Sequence, residues 1–394
     1  MANSKLFKAK REKNDEFYTL YRDIEKEIEA YIEYNKNVFK GKTILLPCDD
    51  PEWSNFTKFF ALNFKKFGLK KLISTSYAED SKNFKSGYQA TLFEKDSPQY
   101  DKTKTTKYGK IFTLTRDKSG DGKIDVGDLE WKYLKDDGDF RSDEIRKLRD
   151  EADIIITNPP FSLFREFLAW VIDSKKQFVM IGNKNCVTYK EVFPLIKDNK
   201  MWSGRTDWSG GLWFETKNPE DVDRVIDGVN MKNVSSVWFT NIDHGRRHEH
   251  IPLMTMSDNL KYSKHKEIKG KKSYDKYDNY DAIEVSFTDA IPSDYEGVMG
   301  VPITFLDKYN PEQFKILGAT QRGCHDEVPD TRKYDEYWEV TPSGKKTGSS
   351  GGKTNENANL VGNDGKKNYF VNKEGRVIQS AYQRIFIRNK ATPK

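Results

Sequence analysis

Up to residue 182, apolar residues follow two alternating patterns along the chain. Short runs of apolar and β-branched residues predict strands, and apolar residues spaced three or four apart predict helices. The predicted strands lie at 43–46, 71–77, 154–156 and 177–182, and the predicted helices at 20–32, 55–67, 142–149 and 161–171. Because strands and helices alternate, this part of the chain is expected to form a mainly parallel, doubly wound α/β sheet.

The remaining segments are less regular. Residues 79–136 are polar and rich in turn-forming residues, which predicts hairpins or an insertion. From about residue 200 the sequence is rich in Trp, Gly and Asn, with strands expected at 234–241, 283–287, 301–306 and 381–388. Residues 341–368 form a Gly/Ser/Asn/Lys tract, which is expected to be flexible in the free protein.

Composition narrows the class of protein only in part. The 394 residues suffice for two or three structural units, and 24 Phe, 20 Tyr and 8 Trp argue against general disorder. No apolar run is long enough to span a membrane, and no secretory signal is expected. The three cysteines are widely separated, so neither a disulfide framework nor a zinc site is expected, and a reducing cytoplasm is the expected location. A net charge of +6 permits nucleic-acid binding without requiring it.

The sequence Asn158-Pro159-Pro160-Phe161 carries the strongest chemical signal. It follows the 154–156 strand, at the end where open α/β sheets bind ligands. The Asn158 side-chain oxygen and the Pro159 carbonyl can accept both hydrogens of an exocyclic amine, and the prolines hold these acceptors rigidly. Phe161 offers a face on which an extruded base can stack. Fixed dipoles suffice for methyl transfer to such an amine, so no metal is expected. The alternative is an ordinary helix-starting turn.

A second candidate site follows the first predicted strand. Cys48, Asp49 and Asp50 stand where a nucleotide-like cofactor meets a doubly wound sheet, and carboxylates there can bind ribose hydroxyls or an ammonium group. The usual Gly-rich fingerprint is absent. On the residues alone, the favoured alternative is a structural loop in which Ser54 or Asn55 caps the next helix.

Three further segments each leave two interpretations open. Asp139 and Phe140, at the expected end of a strand, fit either the adenine of a cofactor or an acidic turn. Residues 117–128 have the oxygen-bearing spacing of a calcium loop, but a strand pattern precedes them and a plain acidic turn is favoured. Arg246 and Arg247 fit either phosphate contacts with DNA or a solvated loop, which is favoured.

Four motifs occur in one order along the chain: Asp-Glu-Phe-Tyr-Thr at 15–19, Cys-Asp-Asp-Pro at 48–51, Gly-Asp-Phe-Arg-Ser at 138–142 and Asn-Pro-Pro-Phe at 158–161. Their order and spacing resemble the EcoRI-methylase family of adenine-specific DNA methyltransferases, and the resemblance covers nearly the whole chain. It implies a Rossmann-like class I methyltransferase sheet with an irregular C-terminal DNA-recognition region. It also implies transfer of a methyl group from S-adenosyl-L-methionine to N6 of a flipped adenine in double-stranded DNA.

The resemblance also assigns parts of the chain. It implies an N-terminal cofactor-lining segment (1–40), a methyltransferase domain (41–255) and a target-recognition region (256–394) containing the 341–368 tract. The cofactor-binding residues would be Phe17, Tyr18, Thr19, Cys48, Asp49, Asp50, Ser54, Asp139 and Phe140. Two departures from the general methyltransferase pattern are the missing Gly-rich motif and the missing acidic residue after the 71–77 strand.

Other functions remain open at this point. An RNA or protein-glutamine N-methyltransferase would use a similar Asn-Pro-Pro-aromatic turn, and a DNA-binding protein that has lost catalysis is a further alternative. The long region after the turn favours DNA, and a restriction endonuclease acting on the same site is a candidate partner.

Overall fold

The computed structural model describes residues 18–49, 54–78, 95, 97–120, 124–216, 219–320, 323–324, 327–350 and 354–390. The chain divides into two compact units, Met1–Lys184 with Trp202–Gly245 and Asn185–Met201 with Arg246–Lys394. The boundary between the two compact units therefore falls between residues 245 and 246, and residues 185–201 belong to the second unit. The functional division at residues 255 and 256 stays a prediction.

The first unit contains the elements that surround the candidate site. Its described helices are α1 (Tyr21–Tyr34), α2 (Asn55–Leu62), α3 (Phe64–Phe67), α4 (Asp143–Glu151) and α5 (Phe164–Asp173). Its described strands are β1 (Tyr18–Thr19), β2 (Thr43–Leu46), β3 (Lys71–Ser76), β4 (Lys110–Leu114), β5 (Glu130–Tyr133), β6 (Ile154–Thr157), β7 (Gln177–Asn183), β8 (Trp202–Ser203), β9 (Leu212–Glu215), β10 (Arg224–Ile226), β11 (Val229–Val234) and β12 (Ser236–Thr240). Among the described residues, no helix is long and apolar enough to cross a membrane.

The central sheet has the strand order β5-β4-β3-β2-β6-β7-β12-β8. Its middle strands β3, β2, β6 and β7 are parallel, as predicted, and β2 and β6 are buried throughout, which explains their apolar sequences. The flanking strands run antiparallel, because β4 and β5 form a hairpin and β12 returns beside β7. The sheet is therefore mixed rather than mainly parallel, and its strand order reverses between β2 and β6.

Aromatic side chains form much of the first unit's core. Phe56 of α2 packs edge-on against Trp238 of β12, with ring centroids 5.9 Å apart. The helix predicted at 55–67 is two helices that meet at Asn63, whose side chain donates to the carbonyl of Phe59 (2.9 Å). Gly68, in the left-handed conformation (φ 64°), ends α3.

A second sheet of the first unit has the order β1-β9-β11-β10. The strand predicted at 234–241 is split at residue 235, because β11 belongs to this sheet and β12 to the central one. Through β9, the N-terminal strand β1 joins this sheet, with Thr19 opposite Phe214.

The second unit contains α6 (Phe193–Lys197), α7 (Met256–Tyr262) and two sheets. Its described strands are β13 (Ile283–Glu284), β14 (Met299–Pro302), β15 (Phe314–Ala319), β16 (Trp338–Val340), β17 (Lys346–Ser350), β18 (Asn359–Val361), β19 (Tyr369–Val371), β20 (Val377–Ser380) and β21 (Arg384–Asn389). The sheet orders are β13-β14-β21-β15 and β17-β16-β19-β20-β18.

Several predictions for the second unit need correction. The strand expected at 283–287 is only β13, and that expected at 301–306 ends at Pro302, which lacks an N–H and precedes the 3-10 helix Ile303–Lys308. The tract at 341–368 contains β17 and β18, paired with β16 and β20, while 351–353 lie outside the described residues. The flexibility of that tract in solution stays a prediction.

Candidate active site

Two loops leave the central sheet side by side at its point of strand reversal. Strands β2 and β6 pair in parallel, with Ile44 opposite Ile154 and Leu45 opposite Ile155. The β2 loop (residues 47–54), of which residues 47–49 and 54 are described, and the Asn-Pro-Pro-Phe turn, residues 158–161, therefore follow strands that end at the same edge of the sheet. This edge is where open α/β sheets bind ligands. The structure thus brings together two candidate segments that are far apart in sequence.

The Asn-Pro-Pro-Phe turn is also the start of a helix. Pro159 is buried, Asn158 and Phe161 are half-buried, and a 3-10 helix (Phe161–Leu163) leads directly into α5. The Phe161 ring packs edge-on against Phe214 of β9, with centroids 6.2 Å apart. The helix-starting interpretation is therefore structurally correct, and it is compatible with a chemical role for the same residues.

A glycine in the neighbouring strand fixes where α5 begins. A Cβ atom on Gly182 of β7 would lie 2.3 Å from Cε2 of Phe164, the first residue of α5. Only glycine leaves room for this ring against the sheet. Since Phe164 follows the turn so closely, Gly182 helps to set the position of the turn.

Asp49 connects the β2 loop to β6 and to α2. Its carboxylate is buried and accepts hydrogen bonds from Ser54 Oγ (2.9 Å) and Thr157 Oγ1 (2.7 Å). The hydroxyl of Thr157 also lies within hydrogen-bonding distance of the Pro47 carbonyl oxygen. Sequence reasoning missed Thr157, although a hydroxyl-bearing residue that ends an all-isoleucine run is a detectable signal.

The β2 loop has a conformation that usually needs glycine. Cys48, half-buried, has a φ of 67°, in the left-handed region that costs a residue with a Cβ roughly 1–2 kcal/mol. Ser54 accepts from the backbone N–H of Phe56 (3.1 Å) and so caps α2, which confirms the capping interpretation. Asp50 lies outside the described residues.

The N-terminal strand lies beside the start of α2. Tyr18 and Thr19 form β1, and the Asn55 side chain donates to the carbonyl of Thr19 (2.8 Å). Thr19 is buried and Tyr18 half-buried. Phe17, which was predicted to bind cofactor, lies outside the described residues. Strand β1 and the end of the β2 loop at Ser54 therefore lie close together.

Asp139 and Phe140 lie in a turn rather than at the end of a strand, because β5 already ends at Tyr133. A Cβ atom on Gly138, which has a φ of 81°, would lie 2.3 Å from the Ser76 carbonyl oxygen, so this turn packs against the carboxyl end of β3. It therefore reaches the same edge of the sheet as the β2 loop.

The two side chains of this turn contact protein groups. The Asp139 carboxylate binds Arg141 through contacts of 2.6 and 2.9 Å, and this hydrogen bonding raises the pKa of Arg141 above its usual value. Phe140 is buried, with its ring centroid 5.1 Å from that of Phe167. Their cofactor-binding role stays a prediction.

Arg246 and Arg247, in the second unit, are largely buried. Arg246 Nη2 lies 2.9 Å from Asp307 Oδ2, with only about a tenth of either side chain exposed. Arg247 is buried and its guanidinium contacts the Asn199 side-chain oxygen. A role of these two arginines in DNA binding stays a prediction.

In the described part of the acidic loop at 117–128, the Asp128 carboxylate accepts several backbone hydrogen bonds. Asp128 accepts from the backbone N–H groups of Ser119 (2.8 Å), Lys118 (2.9 Å) and Asp125 (3.0 Å), and these bonds lower its pKa to about 2. The strand β4 precedes the loop, where a calcium-binding helix–loop–helix would have a helix. Residues 121–123 lie outside the described part of the chain, and the described part contains no cluster suited to a metal ion.

The mixed α/β sheet, with the turn at its reversal point, is consistent with a methyltransferase fold. Residues 5–390 match the family described as "Adenine-specific methyltransferase EcoRI". The Type II methyltransferase M.EcoRI of Escherichia coli is 42% identical over 80% of this chain and 89% of its own length. M.MgeORF184P of Mycoplasma genitalium is 36% identical, and M.MpnI of Mycoplasma pneumoniae 33% identical, each over 79% of this chain and 84% of its own length.

The chain therefore belongs to the EcoRI family of adenine-specific methyltransferases. It is a DNA methyltransferase of the Type II, restriction-modification kind. The comparison with solved structures finds no significant match.

Proposed function

We propose that the first unit is a Rossmann-like class I methyltransferase that transfers a methyl group from S-adenosylmethionine to N6 of an adenine flipped out of duplex DNA. The observation that carries this proposal is the adjacency of the β2 loop and the Asn-Pro-Pro-Phe turn on strands β2 and β6. A donor bound at one loop and a base bound at the other would meet at the switch point of the sheet.

The turn supplies the acceptors for the adenine amine. Asn158 Oδ1 and the Pro159 carbonyl accept the two N6 hydrogens, which frees the nitrogen lone pair to attack the methyl carbon. The Asn158 Oδ1 atom is buried in this structure, so the side chain turns as the base enters. Phe161 stacks on the extruded base. As the N–C bond forms, the C–S bond of the donor breaks and one N6 proton passes to solvent.

The residues around the β2 loop fit a nucleoside-like methyl donor. S-adenosylmethionine, when bound, supplies an electrophilic methyl group on a sulfonium. The left-handed conformation at Cys48 gives this loop a backbone shape for which other proteins use glycine. Tyr18 and Thr19 border the loop through Asn55, and the Asp139 turn packs against the end of β3, to which Asp49 of the loop is also hydrogen-bonded. Phe17, Asp50 and Phe140 complete the proposed cofactor-binding set.

The second unit is proposed to read the DNA. Two lysine–aromatic pairs support this role, with Lys346 Nζ 4.1 Å from the ring centroid of Trp338 and Lys367 Nζ 4.4 Å from that of Tyr382. Tyr382 is 70% exposed. Such pairs suit contact with phosphates and bases.

Alanine at Lys346 and Lys367 tests the DNA-reading role. Losing both lysines should weaken DNA binding and reduce the slope of log K against log salt concentration by about 2. Lys269→Ala, at an exposed position of the same unit, is the control. An unchanged salt slope would remove these lysines from the interface. A partner endonuclease for the same site is proposed only because the relatives are named Type II methyltransferases.

The proposed reaction is tested directly by product mapping. The protein is incubated with labelled S-adenosylmethionine and either duplex DNA or RNA, and the modified base is identified by mass spectrometry of nucleosides. N6-methyladenine in DNA is the expected product. Label recovered only in RNA or in protein would contradict the proposal.

A further inference from the structure

Thr157 carries a hydroxyl that the fold of its strand does not require. The preceding β6 residues Ile154, Ile155 and Ile156 are buried, and an apolar β-branched residue at position 157 would continue the strand equally well. Thr157 is itself completely buried. Burying a hydroxyl costs free energy unless it forms a hydrogen bond, so the partners of this one explain its presence.

Those partners belong to the β2 loop. Thr157 Oγ1 lies 2.7 Å from Asp49 Oδ2, and Asp49 is itself held from two other sides. Ser54, at the start of α2, donates to Oδ1 of Asp49, while the backbone N–H of Asp49 donates to the carbonyl of Thr75 in β3 (3.0 Å). Asp49 therefore fixes the loop to α2 and β3, and Thr157 provides its side-chain link to β6.

Thr157 also directly precedes Asn158, so any movement of Thr157 passes through one peptide bond to the proposed acceptor. We propose that Thr157 is a positioning residue, whose hydroxyl holds Asn158 at the correct distance from the β2 loop. This inference rests on the proposed function, because the two loops would carry the two reactants. A displacement of about 1 Å between reacting groups can cost about 100-fold in rate.

The test compares Thr157→Val, which keeps the shape and removes the hydroxyl, with Thr157→Ser, which restores it. Thr240→Val is the matched control, because Thr240 is also completely buried in the same sheet and its Oγ1 lies 2.8 Å from the Phe178 carbonyl oxygen. The readouts are the single-turnover rate of methyl transfer, the Kd values for S-adenosylmethionine and duplex DNA, and the Tm.

Thr157→Val is expected to reduce the single-turnover rate about 10- to 100-fold, with both Kd values within about twofold of wild type. Thr157→Ser should recover most of the rate, and Thr240→Val should lower Tm without a comparable loss of rate. If Thr157→Val fails to fold, Thr157→Cys supplies a weaker donor of similar size and should give an intermediate rate.

A wild-type rate for folded Thr157→Val or Thr157→Cys would overturn the inference, as would an equal loss in Thr240→Val. The proposed function fails separately, since its failure is a wild-type protein that makes no N6-methyladenine in DNA.

Discussion

Glu27 of α1 should be among the residues on which the stability of the first unit depends most. It is completely buried, and its carboxylate accepts from the hydroxyl of Tyr31 (2.6 Å) and from the backbone N–H groups of Arg205 (2.7 Å) and Thr206 (2.9 Å). The Thr206 hydroxyl donates to it as well (2.8 Å). One carboxylate thus accepts hydrogen bonds from the backbone N–H groups at the start of the segment that leads into β9.

Glu27→Ala should lower the free energy of unfolding by about 2–6 kcal/mol, because the two backbone N–H groups of Arg205 and Thr206 each lose this hydrogen bond at a cost of about 1–3 kcal/mol. Glu27→Gln keeps the volume but turns an NH2 group towards a backbone N–H, so a loss of about 1–2 kcal/mol is expected. Urea unfolding followed by tryptophan fluorescence measures both changes.

Glu25→Ala, an exposed position on the same helix, is the control and should change stability by less than about 0.5 kcal/mol. If Glu27→Ala lost less than about 1 kcal/mol, the four hydrogen bonds would not act as described.

Three other predictions concern separate parts of the chain. Asn158→Ala should reduce methyl transfer by at least about 100-fold while the Kd for S-adenosylmethionine stays near wild type, and activity above a tenth of wild type would refute the role of Asn158. Arg384→Met removes the 2.6 Å ion-pair partner of the buried Glu284 and should lower the free energy of unfolding, measured by thermal unfolding, by about 3–5 kcal/mol. Adding Glu284→Gln to this variant should recover part of the loss. Hydrogen bonds to Ser119, Lys118 and Asp125 lower the Asp128 pKa from 3.8 to about 2, so its stabilising contribution is complete above pH 3.8 and is lost as pH falls towards 2. In Asp128→Asn, the urea midpoint of unfolding should depend less on pH over that interval, and an unchanged pH profile would contradict this account.

The parallel centre of the first unit could be predicted from sequence because its strands carry a local signal. Strands buried on both faces, such as β2 and β6, appear as uninterrupted apolar runs, and their order along the chain implies the helices between them. The Asn-Pro-Pro-Phe turn was detectable for the same reason, since its residues are contiguous. The outer strands β4 and β5 carry weaker patterns, and their antiparallel pairing depends on partners that the sequence does not name.

Contacts between distant residues could not be predicted. Asp49 and Thr157 are separated by 108 positions, so nothing local indicates that their side chains meet. Arg246 and Arg247 resemble solvated cations in sequence, and only the fold shows that Asp307 and Asn199 bind them. Phe140 was predicted to bind a cofactor. That its ring packs against Phe167 could not be predicted, because this contact depends on where α5 packs.

The way in which the β2 loop is held has a consequence for the order of events during synthesis. A glycine-rich loop can adopt a left-handed turn with little strain from its own residues alone. Here the backbone N–H and the carboxylate of Asp49 are held by groups from β3 and β6. Asp49 therefore cannot take its final position until Thr157 has emerged from the ribosome, so the two proposed reactant-binding segments mature together in a growing polypeptide.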